Sequence, residues 1–222
     1  MTVLASLLLA DSRVPTSGHA RIGGVEAAVE RGLLRDEADL ALFVAGRLRG
    51  SAPVLAAAAA AGCLLAADLD SEWGRWDGAV SARIPSAATR EASRAQGTAL
   101  LHTARRAWPC AALEVLCRAG RPHHPLVLGA VVAATGDGAD AAGLLAVHHL
   151  LGGACAAAVR LLGLDPIAVA VVQARASLLA EQVAQDGARV AREAVAQRDP
   201  PCCPAPAPRC RKCWPNCTST RR

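Results

Sequence analysis

Helix-opening residues stand at four points along the chain, each just ahead of residues at helical spacing, and this punctuation restricts the chain to packed helices. Asp36 can cap a helix whose first turn carries Glu37 and Asp39, carboxylates that suit the positive end of the helix dipole. Leu40, Phe43, Val44 and Leu48 then fall on one face, which predicts an amphipathic helix with a core-facing side. Ser86, after Pro85, can cap a second helix on which Ala92, Ala95, Ala99 and His102 or Thr103 trace a stripe of small residues that another helix can approach closely. Asp137 and Asp140 bracket the start of a third, running towards Leu150. Asp165 and Pro166 open a fourth with N-cap residue and N1 proline in their preferred order, and it runs to about Val195.

Between these segments the connections are short and marked by Gly32, Gly74, Pro109, Pro122, Gly136 and Gly163. No segment alternates with period two. The apolar mass agrees: 53% of the residues are hydrophobic, yet the chain has one Phe, four Trp and no Tyr, so Ala, Leu and Val fill the core. Strands draw on aromatic and β-branched side chains, whereas this composition favours close-packed helices. At 222 residues the expectation is an all-α fold, a single-domain helical bundle of roughly eight to ten helices. The domain covers residues 1–198, followed by a Cys/Pro/Arg-rich tail over 199–222 that lacks the composition for a packed core.

The net charge of +5 comes from that tail. Residues 200–222 hold Arg209, Arg211, Lys212, Arg221 and Arg222 and no acid, which leaves the body with 19 groups of each sign. A balanced body makes no case for nucleic acid. The uncharged run from Gly50 to Ala67 has the length of a membrane span, but alanine dominates it and Ser51, Pro53 and Gly62 interrupt it, so a buried core helix is the better reading. Met1 to Ala10 lacks the positive residues of a secretory leader, and Asp11 follows closely. The expectation is a cytoplasmic protein, with Cys63, Cys110, Cys117 and Cys155 as reduced small hydrophobes.

Groups with chemical potential are few. Ser17 to Gly24 is glycine-rich but lacks the Gly-Lys-Ser/Thr ending of a phosphate loop, so it reads as a loop leading into a helix near Val25 and presenting His19 and Arg21 outward. His123-His124 and His148-His149 are adjacent pairs, and neighbours on a helix point about 100° apart, which disfavours chelation by one pair alone. A hydrogen-bonded core or interface role suits His148 and His149 better. An enzyme built on His19 or His148 ranks last, since no nucleophile–base–acid set accompanies either. Cys210, Cys213 and Cys217 have ligand-like spacing and supply the alternative reading, a metal-binding helical protein. The tail also contains the sole Lys (Lys212) and sole Asn (Asn216) of the chain. Such an abrupt change favours a shifted reading frame over a metal knuckle. Back-translated with GC-rich codons, another frame through 207–220 yields an amphipathic helix in the style of the body.

Three stretches together resemble the UreF family of urease accessory proteins. From Leu7 to Val29 the chain is similar to the family's Leu-rich helix, Asp-Ser/Gly-x-x-Pro-x-Gly-Gly-Phe/His loop and following Ser-x-Gly-Leu-Glu. Pro15, Gly18, His19, Gly24 and Glu26 match, while Ser17, Ile22, Val14 and Val25 replace the usual Gly, Ser, Leu and Leu. Pro85-Ser86 with Arg90 to Gly97 and Leu100-Leu101 resembles the Arg-x-Ala-Ser-x-x-x-Gly-x-x-Leu-Leu helix, and Ala158 to Pro166 resembles the Ala-Val-Arg-Leu-x-x-Leu segment.

The resemblance implies a non-catalytic, all-helical, homodimeric adaptor without a cofactor. It would bridge UreD (also called UreH) and the GTPase UreG while nickel is delivered to apo-urease, and would tune the GTPase. The contacts it implies are Pro15, Gly18, His19, Gly24 and Glu26 at the amino end, with Arg90, Ser93, Gln96 and Gly97 on the second stretch. Neither nucleic acid nor membrane is an expected partner.

Overall fold

A computed structural model of the chain describes residues 3–11 and 24–200. These residues form ten α-helices and no strand: α1 (Val3–Ala10), α2 (Val25–Glu30), α3 (Glu37–Gly50), α4 (Ala52–Leu65), α5 (Trp73–Ala82), α6 (Ala87–Ala107), α7 (Ala111–Arg118), α8 (His124–Ala134), α9 (Ala139–Leu162) and α10 (Pro166–Ala196). The all-helical expectation holds, at the upper end of its range. The tail beyond Pro200, with Cys210, Cys213 and Cys217, lies outside the described residues.

Three of the expected caps are made. Asp36 Oδ1 accepts the Asp39 N–H at 2.8 Å, Ser86 Oγ accepts that of Thr89 at 3.3 Å, and Asp165 accepts those of Ile167 and Ala168. The third helix starts between Asp137 and Asp140, as expected, but is longer. Gly138 is the N-cap of α9, without a side-chain bond, and the helix continues past Leu150 to Leu162. Gly152 and Gly153 sit inside it without ending it, since an interior glycine costs only about 1 kcal/mol. Gly163, left-handed at φ 66°, ends it. Gly74 lies inside α5 rather than in a loop, because Trp73 and Trp76 on either side are buried and hold the turn against the core.

The core is organised around α4, whose alanine-rich sequence packs against α8, α9 and α10. Its crossing with α8 is backbone against backbone. A Cβ on Gly129 would collide with the Ala59 carbonyl, and one on Gly62 with the Leu126 carbonyl. Two apolar clusters result. One joins α4 to α5, α6, α7 and α8 around Leu100, Leu113, Leu116, Leu126 and Leu128, each fully buried and worth about 1.5–3 kcal/mol in transfer. The other joins α2 and α3 to α9 and α10 around Val25, Leu34, Leu40, Val44, Leu48 and Val147. Leu40, Val44 and Leu48 form the expected inner face of α3.

On α6 the expected stripe differs from the observed one. Ala95 is exposed and Ala92 and Ala99 are half-buried, while Gly97, Leu100, Leu101 and Ala104 point inward. Helix α4 confirms the Gly50–Ala67 run as a core helix, bent 49° from α3 at Ser51, where Pro53 cannot continue the hydrogen-bond ladder. By length and composition alone α9 and α10 are each apolar enough to cross a membrane, and half of that stretch of α9 is buried within the bundle. Cys63, Cys110, Cys117 and Cys155 are free thiols; burial, with Asp137 and Asp140 nearby, pushes Cys63 up to about 11.

The α4–α8 crossing generates a paired test. Gly129→Ala should lower stability by about 2–3 kcal/mol in urea unfolding, because neither backbone can yield. Gly152→Ala, whose Cβ meets nothing within 4 Å, should raise it by roughly 0.5–1 kcal/mol.

Candidate functional site

The amino-end stretch reaches the described structure at Gly24; Pro15, Gly18 and His19 lie outside the described residues. Gly24 is exposed and left-handed at φ 92°, and it starts α2. Val25 sinks fully into the second cluster and fixes the orientation of the helix, so that Glu26 projects outward. Glu26 faces the Arg160 guanidinium at 3.9 Å, in the last turn of α9. The first and third family-like stretches therefore meet on one surface, which sequence spacing alone does not reveal.

The second stretch works differently. Arg90 donates to the Ile84 and Pro85 carbonyls at 2.6 and 2.8 Å and closes the turn between α5 and α6. Ser93 Oγ accepts the His124 N–H at 3.3 Å. Gly97 is buried because the Pro122 carbonyl rests where its Cβ would be. Gln96 is half-buried beside them. Ser93 and Gly97 hold the turn that leads into α8 and Arg90 the turn into α6, so all three are engaged within the chain.

Sequence reading missed the partners that complete this junction. Asp77 of α5 accepts from Arg94 at 2.7 Å with one oxygen and from the His123 N–H at 2.8 Å with the other, while Arg94 also donates to the Arg121 carbonyl. Asp77 lies 46 residues from His123, so no local signal announces the pair. The His123 ring is completely buried and neither nitrogen has a hydrogen-bond partner. Burial pushes this imidazole down, Asp77 opposes the shift, and Arg94 and Arg90 add to it.

A second histidine group ties α1 to the body. His149 Nε2 pairs with the Leu9 carbonyl at 2.8 Å, and Leu9 is fully buried beneath it. The His149 ring stands 6.2 Å from that of His124 and 6.1 Å from that of His148. Burial, reinforced by His149, drives His124 down to about 3. His149 is pushed down by burial and by His148, against the pull of the Leu9 carbonyl. His149 thus has the hydrogen-bonded role expected of this pair, whereas His148 is exposed. Among the described residues no group of three or more His, Cys, Asp or Glu side chains is placed to share a metal ion.

An all-helical body of ten helices without a strand among its described residues belongs to the all-α class of proteins. Comparison with known proteins specifies which. The UreF family model matches residues 34–177. Urease accessory protein UreF of Mycobacterium bovis is 42% identical over 190 residues, covering 84% of this chain and 86% of the relative. UreF of Mycobacterium tuberculosis gives the same figures, and that of Mycolicibacterium vanbaalenii is 43% identical over 193 residues, covering 85% and 87%. The chain belongs to the UreF family of urease accessory proteins. No solved structure matches it.

The buried histidines set a pH dependence. His124 titrates near its ordinary 6.5 when unfolded and near 3 when folded, so in that window the unfolded chain binds the additional proton. Stability is full above about pH 6.5 and is lost as the pH falls towards 3. Urea midpoints should decline with acidification, and His124→Leu should flatten the decline between about pH 6.5 and 4.5, before carboxylates titrate.

Proposed function

We propose that this chain serves urease maturation as a non-catalytic cytoplasmic adaptor, bridging UreD (UreH) and the GTPase UreG during nickel delivery to apo-urease and tuning the GTPase. No cofactor of its own is involved. The reading rests on the family match and on one structural observation: Glu26 and Arg160, from the first and third family-like stretches, are brought side by side and left half-exposed. Two opposite charges in that state offer a partner both a donor and an acceptor. Pro15, Gly18, His19 and Gly24 precede Glu26 directly in the chain and extend the same contact. Arg90, Ser93, Gln96 and Gly97 form the second part of the proposed contact, where Arg90 fixes the turn into α6 and Ser93 and Gly97 fix the turn into α8.

A homodimer is part of this reading. On the first half of α10, Ile167, Val171 and Leu178 are 76, 44 and 68% exposed. With Ala174 they follow a four–three–four spacing, the seam of a two-helix contact. An isologous pairing of two such seams would cover the apolar side chains of both copies at once.

Two measurements test these points. Glu26→Arg should reduce co-purification with UreD and UreG, and adding Arg160→Glu should restore it; unchanged recovery with Glu26→Arg removes this pair from the contact. Ile167→Asp combined with Leu178→Asp should shift the sedimenting species from dimer to monomer without loss of helical circular dichroism. A persistent dimer places the seam elsewhere.

A further inference from the structure

A trough runs along the hairpin of α9 and α10, on another side of α10 from the seam just described. It is lined along α9 by Leu144, His148 and Leu151 and along α10 by Gln173, Ser177 and Glu181, so it extends about 10 Å, or two helical turns, along each. Ser177 and Leu178 are adjacent, so the trough and the seam face about 100° apart. The cavity measures about 380 Å³, its walls are mostly aliphatic, and it is half-open to the surface. Ala10, at the end of α1, forms part of its wall. Leu144 within it is 45% exposed.

Among the described residues, Glu181 and Asp137 border the trough and no Lys or Arg lines it. Glu181 is exposed and takes part in no ion pair among the described residues. An enclosed small molecule would lose most of its surface to the protein. A half-open, aliphatic trough that runs along two helices, with an exposed carboxylate at its border, instead matches the way an amphipathic helix lays an apolar face into a groove.

We propose that this trough docks a helical segment of a partner protein that presents two or three aliphatic side chains flanked by arginine or lysine. The aliphatic groups cover Leu144 and Leu151, and the cation meets Glu181. The inference rests on the adaptor reading, since it supplies that adaptor with a second contact face, remote in chain position from Glu26.

The test uses the full-length protein and a fluorescein-labelled peptide of about 18 residues, long enough to hold a helix, with Leu and Arg at helical spacing. A counterpart carries Glu in place of each Arg. The Leu/Arg peptide should bind about tenfold or more tightly than the Leu/Glu peptide in fluorescence anisotropy. Leu144→Asp should weaken that binding about tenfold or more, and Glu181→Arg should erase or invert the preference between the peptides. Both substitutions are at exposed positions, and an unchanged thermal midpoint confirms that each variant is folded. Absence of binding, equal affinity for the two peptides, or indifference to Leu144→Asp overturns the proposal. So does a dimer that dissociates with Leu144→Asp, which would put a second copy in the trough. Co-purification with UreD and UreG is scored on the unsubstituted protein in parallel: its failure refutes the adaptor reading, whereas peptide binding alone decides the trough.

Discussion

The contact between α4 and α8 determines how the rest of the chain packs. With Gly62 against Leu126 and Gly129 against Ala59, two helices meet through their backbones, and no side chain separates them. Such an approach shortens the distance across which α9 and α10 must reach to cover α4, and Gly143 and Gly187 repeat the device at those crossings. A core built this way needs few aromatic side chains. Dispersion between many small, closely spaced groups replaces the large contact area that Phe or Tyr would supply. The composition of one Phe and no Tyr is thus a consequence of helix spacing. The same closeness makes methyl-sized changes at these glycines costly, while much of the outer surface tolerates them.

The polar groups divide into two kinds of work. Asp77, Arg94, Arg90 and Ser93 satisfy backbone and side-chain partners where α5, α6 and α8 converge. Removing one member would leave the others partly desolvated without a partner, which is why such junctions are maintained as units. Glu26 and Arg160 are the reverse case, paired loosely at 3.9 Å and half-exposed. Ion pairs in that setting contribute little to folding and are free to be exchanged for intermolecular ones. The distinction separates residues committed to internal contacts from residues left at the surface, although both occur in stretches that resemble the same family.

Much of the fold was legible because capping is a local interaction. Asp36, Ser86 and Asp165 each bond an N–H two or three residues ahead, and their helices start where the sequence indicates. At α9 the start falls between Asp137 and Asp140 as the sequence indicates, and what differs is the length, since Gly152 and Gly153 do not end the helix. On α6 the spacing of Ala92, Ala95 and Ala99 identified a helix face but not its direction, since alanine is acceptable on either side; Leu100 and Leu101 carry the directional information. The site was less legible than the fold. Glu26 meets Arg160, and His149 meets Leu9, across more than a hundred residues of chain, and such encounters depend on the assembled topology. The internal use of Arg90 and Ser93 was equally hidden, because a polar residue on an amphipathic helix carries no mark of what it will face.

Helices α4, α9 and α10 contribute to both apolar clusters, so neither cluster is closed without the other. Among the described residues no plane through the bundle separates one cluster from the other. On the adaptor reading, a protein seated at either end would therefore press on both clusters together.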